Sequence, residues 1–166
     1  MTIRNLTDLY IDQLQDIYSA DKQSLQATKK LHEVATSQEL KSALEDGVKG
    51  ISQGMEKVRS LIEGHNANPN GEHCKGMEGL VNEAKAHAID ADIEDKDVLD
   101  ASIITQYQRM THYGLAGYGT ALAFAKRLGL DSDAETLQTC LDNTYDGDRR
   151  MTEIATGEVN KEAVAA

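Results

Sequence analysis

Residues 6–35 read LTDLYIDQLQDIYSADKQSLQATKKLHEVA, and this stretch decides the expected fold class. Its apolar side chains recur at the three- and four-residue spacing of one helix face, without the alternation that is typical of strands. Asp21 interrupts this face, four residues after Ile17 and four before Leu25. The stretch therefore predicts a long amphipathic helix that carries a carboxyl group on its buried side.

Three further stretches, at roughly residues 37–63, 98–128 and 133–158, show the same periodicity. Glycine, threonine or aspartate interrupts their apolar faces near mid-length, at Gly47, Gly50, Gly54, Thr111, Gly114, Thr144 and Asp148. Amphipathic helices of this length pack as bundles, and bundle cofactors and metals bind between facing helices. The interruptions therefore predict an interior site at one common height of a four-helix bundle.

The connections predict two antiparallel hairpins joined by a crossover. Potential capping boxes begin at Thr36 and Ser132, and Gly129 suits the left-handed position that ends a helix. Residues 64–97 are too long for a tight turn and contain one short helical pattern, at residues 77–88. Hairpin, crossover and hairpin is the connectivity of ferritin-like bundles. We expect an all-α, ferritin-like four-helix bundle with a short fifth helix.

Composition limits the partners and the compartment. The 166 residues predict a single domain, residues 1–166, whose tail at residues 159–166 frays. The net charge of −11 repels phosphate groups, so nucleic acid and anionic membranes are not expected as partners. No apolar run reaches the length of a membrane span or a signal peptide, and the two cysteines suggest no disulfide framework. A soluble cytoplasmic protein is expected.

The interrupting residues allow two interpretations each. Asp21 and Asp148 are either metal ligands or proton-handling acids, or they are buried carboxyl groups held by hydrogen bonds from a facing helix. Interior glycines cost a helix roughly 1 kcal/mol each relative to alanine. They either permit close helix approach or leave a cavity where larger polar side chains would stand. His112 is either a metal ligand or a residue at the boundary of the apolar face.

Three segments match a known family. They are DIYSADKQ at residues 16–23, CKGMEGL at residues 74–80 and HYGLAGYGT at residues 112–120. In this order and at these spacings the chain resembles the YciE/YciF family of stress-associated ferritin-like proteins, most closely its YciE branch. The resemblance implies a ferritin-like bundle with a short fifth helix, in a dimeric, bacterial, stress-induced protein with no settled biochemical activity.

The same resemblance marks the positions where metal ligands are missing. Typical relatives carry a glutamate at Asp21, histidine and glutamate at Gly47 and Gly50, glutamates at Thr111 and Gly114, and another acid at Thr144. A ferritin-like di-metal centre needs a glutamate from each of two helices and a Glu/His pair from each of the other two. Only Asp21, His112 and Asp148 remain as candidates here, whereas divalent ions need roughly four to six donors.

We therefore expect a non-enzymatic protein with a degenerate di-metal site and no cofactor. It would act through protein contacts, as a homodimer or beside a metal-competent relative. The vestigial mid-bundle site comprises Asp21, Gly47, Gly50, Thr111, His112, Gly114, Thr144 and Asp148. The alternative is a metal-dependent oxidoreductase or peroxide-handling protein, with a weakly bound divalent metal ion on Asp21, His112 and Asp148. A third hypothesis is that the glycine-lined space binds a small ligand.

Overall fold

The computed structural model describes residues 2–164, and these are helical apart from short connections, with no β-strand. The helices are α1 (Leu6–Val34), α2 (Gln38–Gly64), α3 (Lys75–Ala84), α4 (Lys96–Leu128), α5 (Asp131–Ile154) and α6 (Asn160–Val164). Five-residue π-helical segments continue α3 and α5, at Lys85–Ile89 and Ala155–Val159. Within residues 2–164, no helix combines the length and the hydropathy needed to cross a bilayer.

The four long helices form the predicted bundle. Short turns join α1 to α2 and α4 to α5, so each pair is an antiparallel hairpin. The hairpins pack together through α1 against α4 and α2 against α5. The short helix α3 lies in the predicted crossover and packs on α1 and α4. The all-α, ferritin-like four-helix bundle expected from the periodicity is therefore confirmed.

The turn between α4 and α5 uses the predicted glycine. Gly129 has a φ of +71°, in the left-handed region, where a side chain would be strained. The N–H of Leu130 donates to the carbonyl of Ala125 at 3.0 Å, which closes the end of α4. The capping box predicted at Ser132 is wrong, because α5 begins at Asp131 and Ser132 lies inside its first turn.

The turn between α1 and α2 depends on a residue of α4. Ser37, not Thr36, caps α2, and its Oγ accepts from the N–H of Leu40 at 3.4 Å. Thr36 instead donates its N–H and its hydroxyl to the two carboxylate oxygens of Asp100, each at 2.8 Å. The N–H of Ser37 also donates to Asp100, at 2.7 Å. Asp100 is fully buried and ties α4 to the first hairpin.

Two apolar clusters form the core, one towards each end of the bundle. One is built around Leu31, Leu40, Leu44, Ile103 and Met151. The other is built around Leu14, Val58, Ile62, Leu122 and Leu137. On α2, α4 and α5, the interrupting residues of the sequence lie between the segments that supply these two clusters. The middle of the bundle is therefore less apolar than its two ends.

The chain remains helical beyond the point where fraying was predicted. Helical structure continues through residues 155–164, and Val159 is 7% exposed and belongs to the first apolar cluster. Burial of Val159 packs the start of this segment against the core, whereas fraying of the tail stays a prediction. Ala165 and Ala166, the rest of the predicted tail, lie outside the described residues.

Candidate functional site

A cavity of about 410 Å³ lies at mid-height between the four long helices. Its lining includes six of the eight residues predicted for the interior site: Asp21, Gly47, Gly50, Thr111, Gly114 and Thr144. The exposed lining residues, among them Asp46, Lys49, Asn143 and Asp146, belong to α2 and α5. The cavity therefore opens to solvent between these two helices.

Asp21 lies on the inner wall of the cavity and is 7% exposed. Its Oδ2 accepts a hydrogen bond of 2.6 Å from the hydroxyl of Tyr118 on α4. Burial raises the pKa of Asp21 to about 7, and the bond from Tyr118 opposes this shift only in part. Burial, together with the neighbouring Asp21, raises the pKa of Tyr118 well above its ordinary value. Near neutral pH, Asp21 therefore exists in both protonation states while Tyr118 keeps its proton.

Two of the interior glycines permit the close approach of tyrosine side chains. A Cβ on Gly47 would lie 2.6 Å from the hydroxyl oxygen of Tyr107. A Cβ on Gly54 would lie 2.8 Å from the hydroxyl oxygen of Tyr118. Both distances are shorter than van der Waals contact, and both tyrosines are buried. At these positions the glycines make room for α4.

The predicted site contains two glycines besides Gly47, and both face open space. A Cβ on Gly50 would meet no atom of the described chain within 4 Å. A Cβ on Gly114 would meet only Cγ2 of Thr144, at 4.0 Å. Both interpretations of the glycines therefore hold, each at different positions: close packing at Gly47 and a cavity at Gly50 and Gly114.

His112 and Asp148 lie outside the cavity and bind each other. Nε2 of His112 is 3.1 Å from Oδ1 of Asp148, and the His112 side chain is 63% exposed. The same oxygen accepts from Nε2 of Gln108 at 3.1 Å. Neither residue lines the cavity with Asp21. The three residues considered as ligands of a weakly bound metal ion therefore do not share a site.

The residues at mid-height do not fit the di-metal centre that the fold class implies. Across residues 2–164, no three His, Cys, Asp or Glu side chains are grouped closely enough to hold a metal ion. Towards the inner end of the cavity, Asp21 is surrounded by hydroxyl groups, glycines and the tyrosine that donates to it. The divalent cations of a ferritin-like di-metal centre need roughly four to six donor atoms, which come mainly from carboxylates and imidazoles.

Among the cavity-lining residues that the sequence does not predict, four bear on the chemistry of the site. Tyr107 and Tyr118 are not predictable as site residues, because only the register between helices places them opposite Gly47 and Gly54. Lys57 also lines the cavity. It follows Gly50 and Gly54 at the spacing of one helix face, so the sequence pattern could have placed it in the site. Cys140 also lines it, and burial raises its pKa to about 11, so the thiol stays protonated near neutral pH.

These features define a class: an all-helical, ferritin-like bundle whose mid-height cavity is lined by hydroxyl groups, glycines and the buried carboxyl group of Asp21. Residues 5–164 match DUF892, described as a domain of unknown function, and the chain belongs to this family. The sequence is 30% identical to YciF from Escherichia coli (strain K12) over 164 residues, which is 98% of both chains.

Two solved structures share the fold. The crystal structure of the E. coli stress protein YciF matches with a TM-score of 0.89 and 31% identity, covering 96% of this chain and 99% of YciF. YcfI from Rhodopseudomonas palustris, provisionally described as a structural protein, matches with a TM-score of 0.84 and 32% identity, covering 90% of this chain and 94% of its own. The resemblance to YciF is therefore confirmed, whereas a closer relation to the YciE branch stays a prediction.

Proposed function

We propose that this chain is a stress-associated, non-enzymatic bundle protein in which the di-metal site of ferritin-like proteins is degenerate. One observation carries the proposal: at the six predicted positions that line the cavity, Asp21 is the single residue able to act as a carboxylate ligand. The similarity to YciF, described as a stress protein, supports the association with stress. The protein then acts by binding rather than by metal-dependent chemistry.

The alternative, a metal-dependent oxidoreductase on Asp21, His112 and Asp148, has less support. It requires these three side chains to converge on one ion. His112 and Asp148 instead bind each other, and neither lines the cavity. Asp21 meanwhile accepts a hydrogen bond from Tyr118 on the inner wall of the cavity.

Metal content distinguishes these functions. Protein purified without chelator is expected to contain iron, manganese and zinc only far below one equivalent per chain, because Asp21 alone supplies too few donors. Elemental analysis by mass spectrometry measures this directly, with the Asp21→Ala variant as the matched control. Stoichiometric metal in the parent protein would overturn the proposal. If Asp21→Ala and Asp148→Ala each removed that metal, the oxidoreductase would be favoured instead.

The protein is proposed to act through protein contacts as a homodimer. Apolar side chains available for such contacts include Ile3, Val98 and Tyr145, which are 47%, 37% and 49% exposed. Light scattering coupled to size-exclusion chromatography is expected to give twice the 18.1 kDa of one chain. A mass of one chain at every concentration would contradict the homodimer. A cytoplasmic location, and the absence of nucleic-acid and membrane partners, stay predictions.

A further inference from the structure

The inner wall of the cavity presents mainly hydrogen-bond acceptors. Four serine and threonine hydroxyl groups line it, and each donates its hydrogen to a backbone carbonyl of its own helix, at 2.7–3.2 Å: Ser24, Thr28, Thr111 and Thr144. A hydroxyl group has one hydrogen and two lone pairs, so these side chains can still accept but have no hydrogen left to donate. A ligand that satisfies this wall must itself supply donors.

Asp21 adds a carboxyl acceptor whose second oxygen is open to the cavity. Its side chain is more than nine-tenths buried and lines the cavity. Oδ2 accepts from Tyr118, but within the described part of the chain Oδ1 accepts no hydrogen bond and no cation pairs with the carboxyl group. A buried carboxylate is costly without donors around it. A donor that enters the cavity can therefore reach the free oxygen of Asp21.

Apolar side chains complete the lining. They are Ala43 and Ile51 of α2, Met77 of α3 and Met110 of α4. The cavity, at about 410 Å³, has the size of small-molecule sites, which combine an apolar lining with a few placed polar groups. The ligand that fits has a short apolar body and one donor-rich end.

We propose that this cavity binds a small primary amine as its ammonium ion, with the charged end at Asp21 and the alkyl body against the apolar lining. An ammonium group has three donors and no acceptor, which complements the acceptor-rich wall. The net charge of −11 attracts cations towards the protein. This inference rests on the proposed function, since a metal ion at Asp21 would occupy the same carboxyl group.

Lys57 allows a test of whether the ligand carries a positive or a negative charge. Of the basic residues that line the cavity, Arg150 and Lys49 pair with Asp46 at the rim. Lys57 is partly exposed, and no ion pair joins it to any of the side chains that the structure describes. An anionic ligand would bind at Lys57, whereas an ammonium ion is repelled by it. Lys57→Met should therefore leave amine affinity unchanged or raise it.

The test is a titration of chelator-treated protein, followed through its backbone amide signals in two-dimensional NMR at about pH 8. The probes are n-butylamine, butyrate and 1-butanol, which share one alkyl chain and differ in charge. We expect n-butylamine to give saturable shifts at the amides of Gly50, Gly54 and Gly114, and we expect none from the other two. Asp21→Asn should weaken amine binding about tenfold or more, because it removes a charged hydrogen bond. Asp142→Asn, at an exposed acid on α5, should not weaken it.

Three outcomes overturn the inference. They are no saturable shift with n-butylamine, equal affinity in the parent and Asp21→Asn proteins, and butyrate binding that Lys57→Met abolishes. Each of these leaves the proposed function standing, because the titration uses metal-free protein and metal content is measured separately on untreated protein.

Discussion

Asp21→Asn should stabilise the folded protein at neutral and alkaline pH and leave its stability in acid nearly unchanged. Burial raises the pKa of Asp21 from 3.8 to about 7 in the folded state. As pH rises through this interval the unfolded state releases the proton first, so stability falls and levels off above about pH 7. A shift of this size corresponds to a loss of about 4 kcal/mol. Asparagine has no proton to lose, and its amide oxygen can still accept from Tyr118.

Urea denaturation of the parent and the variant, repeated between about pH 4 and pH 9, measures this effect. The two unfolding free energies should differ least at the acid end and diverge up to about pH 7. Asp142→Asn is the matched control, because this acid lies on the surface of α5 and is in contact with water in both states. If the free energies of unfolding of Asp21→Asn and the parent differed by the same amount at every pH, the raised pKa of the buried Asp21 would be contradicted.

Asp100→Ala should destabilise the protein by about 3–5 kcal/mol, a loss that rests on hydrogen bonding rather than on apolar packing. The substitution removes the acceptor for three donors, the N–H and hydroxyl of Thr36 and the N–H of Ser37. Buried donors left without partners cost about 1–3 kcal/mol each, less where water can reach them. The turn between α1 and α2 would also lose its attachment to α4.

Thermal and urea unfolding measure this loss, with two variants for comparison. Asp100→Asn keeps one acceptor oxygen and should fall between the parent and Asp100→Ala. Asp92→Ala removes an exposed acid of the crossover and should change the free energy of unfolding by less than about 0.5 kcal/mol. A similar small effect from Asp100→Ala would show that the three hydrogen bonds contribute little.

The helices were predictable from the sequence because their signals are local. The three- and four-residue spacing of apolar side chains, the turn at Gly129 and the long crossover all depend on near neighbours along the chain. The role of Asp100 was not predictable in this way, because its partner Thr36 lies 64 residues away in the sequence. Its burial follows from how the two hairpins pack.

The candidate site was predictable in its position but not in all its members. Successive residues on a helix are turned by about 100° from one another. His112 follows Thr111 directly, and this one step takes the imidazole out of the cavity to Asp148. Spacing alone places Asp148 on the inner face, and only the packed helices show that it pairs with His112 and does not line the cavity. Such rotations cannot be fixed without knowing which face each neighbour covers.

If the di-metal site is degenerate as proposed, the packing of Tyr107 on Gly47 limits the evolutionary routes back to a metal-binding form. Larger side chains could return at Gly50 and Gly114 one substitution at a time, because both positions face free space. A return at Gly47 is blocked while the buried Tyr107 hydroxyl lies 2.6 Å from where the new Cβ would stand. Reversion there requires a prior change at Tyr107. This pair of residues therefore makes the order of mutations, and not only their number, decide whether a metal centre could form in this bundle.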